Sequence, residues 1–121
     1  MNNIAPPVSF YSISAQDIWL VTLDDAEGHE QEGTRPVVIV NIHPQSKLVM
    51  ATPCTGKVRA TRFPHTHQIS PATTNGLTRE SIALVYQTRA LSTTRFIKKM
   101  GKCSDADFEA IKIILEDYFE I

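Results

Sequence analysis

Apolar and polar positions follow a short, strand-like rhythm over most of this chain. Ile18-Trp19-Leu20-Val21-Thr22-Leu23 is a run of β-favouring residues stopped by Asp24-Asp25. After a polar loop from Ala26 to Thr34, bracketed by Gly28 and Gly33, the segment Pro36-Val37-Val38-Ile39-Val40 is apolar at every position, which predicts a central buried strand. His43-Pro44-Gln45-Ser46 carries turn chemistry, and Leu48-Val49-Met50-Ala51 predicts a third strand ended by Pro53. A second polar loop, Cys54 to Thr61, contains Gly56. From Arg62 to Ile69 the pattern alternates, with Phe63, His65, His67 and Ile69 on one face. Ser70 to Thr78 is turn-rich around Asn75-Gly76, Ser81 to Tyr86 predicts a further strand, and Ile97 to Cys103 a weak, basic one.

The period changes at Ser104, a good helix N-cap, with Asp105 and Asp107 placed to favour the helix dipole. Phe108, Ile111, Leu115 and Tyr118 follow at three- and four-residue steps, with Ile114 beside them, which predicts one amphipathic helix. Five or six short strands followed by one terminal helix predict a mainly β fold, a small, strongly bent antiparallel β-barrel capped by that helix. Residues 1–14, rich in proline, asparagine and serine, read as a leader tacked to the surface by Phe10-Tyr11, and 15–121 as the single domain.

Composition narrows the class. With 121 residues, 42% apolar and 21% charged, the chain suffices for one core, and a disordered, collagen-like or coiled-coil chain is excluded. Cys54 and Cys103 are too few for a disulfide scaffold; free thiols are the default and a single bridge stays open. No apolar run approaches the roughly 18 residues that span a bilayer, and the N-terminus lacks a secretory pattern, so the expected compartment is the cytoplasm, with no membrane partner.

The net charge of −1 hides a strong segregation. Residues 1–34 carry six acids and no Lys or Arg, residues 35–102 carry eleven bases against Glu80, and residues 103–121 carry six acids against Lys112. A basic middle of this size suits a polyanion as readily as it suits ordinary solvated strand faces.

Two loops hold candidate chemistry: Gly28-His29-Glu30-Gln31-Glu32-Gly33-Thr34-Arg35-Pro36 and Pro53-Cys54-Thr55-Gly56-Lys57. Together they offer a carboxylate, an imidazole, a guanidinium, a hydroxyl and an ammonium. That set serves phosphodiester chemistry: a base to take a proton, a cation to hold the crowded phosphorus, an acid to protonate the leaving oxygen. Arg35, where loop meets strand, is placed to grip a phosphate bidentately. His65 and His67 share a strand face but lack a third ligand at metal-site spacing, so no metal or other cofactor is expected. Cys54, with nothing nearby to activate it, reads as a packing residue.

Asp17-Ile18-Trp19-Leu20-Val21, then Gly28-His29-Glu30-Gln31 and Gly33-Thr34-Arg35-Pro36-Val37, then Pro53-Cys54-Thr55, Gln87-Thr88-Arg89 and the basic strand and helix from Lys98 closely resemble the MazF/PemK toxins, over about residues 15–118. The stretch from Gly28 to Pro36 is the specific part. The resemblance implies an SH3-like bent barrel of the CcdB/PemK type, a homodimer, and the cytoplasmic toxin of a type II toxin–antitoxin pair. It implies a metal-independent, sequence-specific endoribonuclease that cuts single-stranded RNA, typically mRNA, by attack of the ribose 2′-hydroxyl, leaving a 2′,3′-cyclic phosphate and a 5′-hydroxyl. It also implies a cognate antitoxin whose acidic, otherwise disordered tail lies along the RNA groove.

By position, the resemblance makes Arg35 the catalytic arginine, Thr55 the catalytic loop hydroxyl and Glu30 the candidate general base. His29 is expected to bind RNA and Gln31 to shape the same loop. Lys57, Arg59 and Arg62 are expected on RNA phosphates, and His65, Tyr86, Gln87 and Arg89 complete the expected RNA-binding set. There is a departure: Tyr86 stands where several relatives carry an acid, the base in PemK-type members, and Leu84 where those carry an arginine. Either Glu30, Arg35 and Thr55 suffice, or activity is reduced, and Tyr86 either stacks on a base or packs. Two rival readings share the architecture: a CcdB-like, gyrase-binding inhibitor without catalysis, and a degenerate member that binds RNA or antitoxin without turnover.

Overall fold

The computed structural model describes residues 7–23 and 33–121 and folds them into seven strands and one α-helix. The strands are β1 (Asp17–Thr22), β2 (Thr34–His43), β3 (Leu48–Thr55), β4 (Thr66–Ile69), β5 (Ser81–Leu84), β6 (Arg89–Ser92) and β7 (Phe96–Lys102), followed by α1 (Asp105–Phe119). All pairings are antiparallel, in the order β4-β5-β3-β2-β1-β7, with β6 also paired to β3. One edge of β3 is therefore shared. Leu48 to Ala51 pair with β6, whereas Cys54 and Thr55 pair with β5. Between β5 and β6 the chain makes a single 3₁₀ turn, Val85–Gln87, and the sheet bends there. A register slip between Ile39 and Asn41, and two more between β1 and β7, add local twist.

The uninterrupted apolar run in β2 follows from a sheet covered on both faces. Val37 and Ile39 enter one cluster with Trp19, Val21, Val49, Leu91 and Phe96; Val38 and Val40 enter the other with Ile18, Cys54, Ile69, Ala83 and Ile111. Phe10 and Ile13 belong to the first cluster, so the stretch expected only to touch the surface contributes to the core, while Tyr11 is 80% exposed. Helix α1 covers the second cluster with Phe108, Ile111, Ile114 and Leu115.

Local chemistry accounts for the helix. Ser104 Oγ accepts from Asp107 N at 3.0 Å, Asp105 and Asp107 sit in the first turn, and Glu120 ends the helix in the left-handed region with its N–H on the Asp117 and Glu116 carbonyls. Two histidines then tie α1 to the β4 region: His67 Nε2 donates to Asp107 Oδ1 and His65 Nε2 to Asp117 Oδ2, each at 2.8 Å.

Element boundaries differ from the expected ones for local reasons. Residues Val58–Arg62 form a 3₁₀ turn, and β4 begins only at Thr66 because His65 has φ +60° and breaks the extension. β3 continues through Pro53 to Thr55, since proline removes one ladder donor but keeps an extended φ. β6, an additional strand, is too short and polar to stand out in the sequence.

Candidate active site

Arg35 is the second residue of β2 and lies opposite Val21 of β1; Thr55 is the last residue of β3 and lies opposite Ile82 of β5. The sheet brings the two together: both line a polar cavity of about 210 Å³, with Cys54, Gly56, Thr78, Arg79 and Ser81 among its walls. Thr55 is buried, and its hydroxyl accepts from Lys57 N at 3.3 Å, which shapes the turn after β3. Leu23 N donates to Gly33 O at 2.9 Å, just before Thr34, which lines the same cavity. Glu30, His29 and Gln31, expected to supply a base and RNA contacts, lie outside the described residues.

Arg79 was not singled out by the sequence, and it enters the cavity from the turn before β5. Buried Asn75 builds that turn: its Oδ1 accepts from Ala72 N and Leu77 N, each at 3.0 Å, and its Nδ2 donates to Ser70 O at 2.9 Å. Ser81 Oγ donates to Arg79 O at 3.2 Å. The only signals in the sequence were its positive charge and its place just after Gly76.

Thr55 also opens onto a second cavity of about 460 Å³, lined by Lys57, Ala60, Phe63, Leu84, Tyr86 and Gln87. This one has aromatic walls. The Phe63 and Tyr86 rings are 6.3 Å apart and tilted by 57°, and Arg62 Cζ lies 4.8 Å from the Phe63 ring centre. Phe63 is 44% exposed, a surface aromatic that the sequence placed on a strand face without assigning it a role. A polar pit joined through one threonine to an aromatic trough is a geometry that can hold a phosphodiester beside a splayed base.

The structure distributes the remaining expected residues unevenly. Lys57, Arg59 and Arg62 flank a groove shared with Phe63. Tyr86 and Gln87 line the trough together with buried Leu84. His65 lies at the trough's far end against Tyr118, with ring centres 5.1 Å apart, and its Nε2 is engaged by Asp117. Arg89 sits in β6 opposite Ala51 and lines neither the pit nor the trough.

Cys54, next to Thr55, has its thiol pushed up to about 12, first by burial and then by Cys103. Cys103 is pushed up to about 11, first by burial and then by Asp107. Both are free and neutral near neutral pH. Among the described residues, no group of three His, Cys, Asp or Glu side chains is arranged to hold a metal ion, and no helix is long and apolar enough to cross a membrane.

Known proteins resemble this chain in sequence and in fold. The endoribonuclease MazF of Staphylococcus saprophyticus is 30% identical over 98 residues, covering 78% of this chain and 81% of its own. The endoribonuclease MazF9 of Mycobacterium tuberculosis is 30% identical over 112 residues, covering 83% and 93%. The crystal structure of MazF from Deinococcus radiodurans superposes with a TM-score of 0.75 at 18% identity, over 90% of this chain and 97% of that one. The family model of PemK-like, MazF-like toxins matches residues 14–119, and the chain belongs to that family of type II toxin–antitoxin toxins.

Proposed function

We propose that this chain is the endoribonuclease toxin of its pair: a cytoplasmic homodimer that cuts single-stranded RNA without a metal ion and is held in check by an antitoxin with an acidic tail. The observation that carries the reading is the meeting of Arg35 and Thr55, twenty positions apart on different strands, in one pit beside an aromatic trough.

In the proposed reaction Glu30 takes the proton of a ribose 2′-hydroxyl, and the 2′-oxygen attacks the neighbouring phosphorus. Arg35 holds the non-bridging oxygens as charge builds on them, with Thr55 hydrogen-bonding the same phosphate. The bond from phosphorus to the 5′-oxygen breaks, and that oxygen takes a proton from the acid at the site, for which Arg35 is the candidate. A 2′,3′-cyclic phosphate and a 5′-hydroxyl remain. The trough at Phe63, Tyr86 and Gln87 receives a base, and Lys57, Arg59 and Arg62 neutralise flanking phosphates. The same basic groove suits an acidic peptide.

Purified protein is expected to cut a long single-stranded RNA in EDTA. R35A is expected to lose at least about a hundredfold in rate, the usual cost of one pre-organised charge-stabilising donor, while keeping its thermal midpoint. A folded R35A protein cutting at the wild-type rate overturns the mechanism. Capture of gyrase with no RNA cleavage overturns the reading.

A further inference from the structure

The turn between β4 and β5 aims a second guanidinium at the proposed cleavage site. A β-carbon placed on Gly56 would fall 2.4 Å from Arg79 Cζ, 2.5 Å from its Nε and 2.6 Å from its Nη2. The guanidinium therefore lies directly on the main chain that follows Thr55, in a space only glycine leaves open. Among the described residues it has no hydrogen-bond or ion-pair partner. The neighbouring acid, Glu80, turns instead to Gln68 Nε2 and Ser70 Oγ, which donate to its Oε2 at 3.0 and 2.9 Å. The turn itself is fixed by buried Asn75 and by Lys102 N donating to Thr74 O at 2.8 Å.

An exposed guanidinium resting on the main chain at the edge of this pit, with no counter-charge among the described residues, is available to an anion. The anion that this pit admits is the backbone of a nucleic acid strand passing Thr55. We propose that Arg79 is a phosphate-gripping residue of this site, its guanidinium positioned by contact with Gly56 so that a bound RNA strand is held between Arg79 and Arg35. The proposal deepens the endoribonuclease reading and rests on it. It assigns Arg79 to substrate binding, separate from the proton transfers, and makes Gly56 the residue that sets its position.

Two arms separate the proposal from the reading beneath it. In the first, a short, fully 2′-O-methylated single-stranded RNA, which the proposed chemistry cannot cut, is titrated by fluorescence anisotropy across a range of KCl concentrations. R79A is expected to weaken binding about tenfold and to reduce the slope of log affinity against log salt by about 0.7, the share of one phosphate on a single strand. R79K is expected to recover part of the affinity and the full slope. G56A should reproduce the R79A loss, because the added methyl displaces a flexible side-chain tip, and the double variant should bind no worse than either single one.

In the second arm, cleavage of a natural RNA is expected to show a raised KM with kcat within about threefold, a pattern of lost ground-state binding. A folded R79A protein with wild-type affinity and salt slope overturns the proposal, as does a G56A protein that binds like wild type. A wild-type protein that binds the methylated strand but cuts no RNA overturns the endoribonuclease reading, and the first arm still judges Arg79.

Discussion

Replacing Gly76 with alanine tests whether the Arg79-bearing turn is held as tightly as its contacts imply. Gly76 has φ +73°, and a β-carbon there would lie 2.0 Å from Met100 O and 2.6 Å from Met100 C. Both are main-chain atoms of β7, so no side chain can step aside. The left-handed conformation alone costs alanine about 1–2 kcal/mol. To reach ordinary contact, turn and strand must separate by about 1 Å, enough to break the bond from Lys102 N to Thr74 O, worth about 1 kcal/mol. Loosened packing around buried Leu77 adds about 1 kcal/mol more. The sum is about 3–4 kcal/mol, a large part of a small domain's stability, and corresponds to a fall in Tm of about 10–20 °C. Gly33 is the internal control. Its φ is +81°, but among the described residues the nearest atom to an added β-carbon is Arg35 Nε at 3.9 Å, so the conformational cost is the one expected. The assay is urea and thermal unfolding followed through the single tryptophan, buried Trp19. Equal losses for G76A and G33A, or a G76A loss below about 1.5 kcal/mol, refute the argument.

Other outcomes follow from the burial of particular side chains. Because both thiols titrate higher in the folded chain than the ordinary value of 9.0, their contribution to stability is complete below pH 9 and is lost as pH rises towards about 11 and 12. Alkaline unfolding should therefore begin at higher pH in C54A than in wild type, measured relative to each protein's neutral-pH midpoint. A thiol reagent at pH 8 should label neither cysteine until the chain unfolds. I111A, which empties a fully buried position between α1 and the sheet, should cost about 2–4 kcal/mol, whereas I113A on the exposed face should stay within about 0.5 kcal/mol, both read from urea midpoints.

How far the sequence could be read depended on whether a feature was local. The helix was legible because its cap, first-turn acids and apolar stripe all lie within sixteen consecutive residues, 104–119. The central strand was legible because Val37, Val38 and Ile39 are apolar whichever way they face. His65 was harder, since its left-handed backbone belongs to a turn that leans on Asp117, fifty-two positions away. Within the site, Arg35 and Thr55 were marked by the loops they flank, and Phe63 and Arg79 were not. The role proposed for Phe63 depends on facing Tyr86 across a bend, and that proposed for Arg79 on Gly56, at the end of the neighbouring strand β3 and twenty-three positions away in the chain. Neither relation leaves a periodic trace.

The substitutions at Leu84 and Tyr86 decide where a general base has to come from. Leu84 is buried and Tyr86 half-buried, and both form the trough wall that Thr55 adjoins. A hydrocarbon and a phenol beside Phe63 suit the nucleobase of the proposed reading and offer no carboxylate. Among the described residues, the walls of the pit and the trough carry no acid. On the proposed reaction the proton of the 2′-hydroxyl must then go to the loop that leaves the sheet at Leu23 and returns at Gly33, where Glu30 stands. A positioned base accelerates proton transfer by about a hundredfold to ten-thousandfold, so E30Q should lose at least about a hundredfold in kcat with little change in affinity for the methylated strand. Y86F should do neither, because the ring is what the trough supplies. E30Q cutting at the wild-type rate, or Y86F losing as much as E30Q, would return the base to the position of Tyr86 and refute this division between pit and trough.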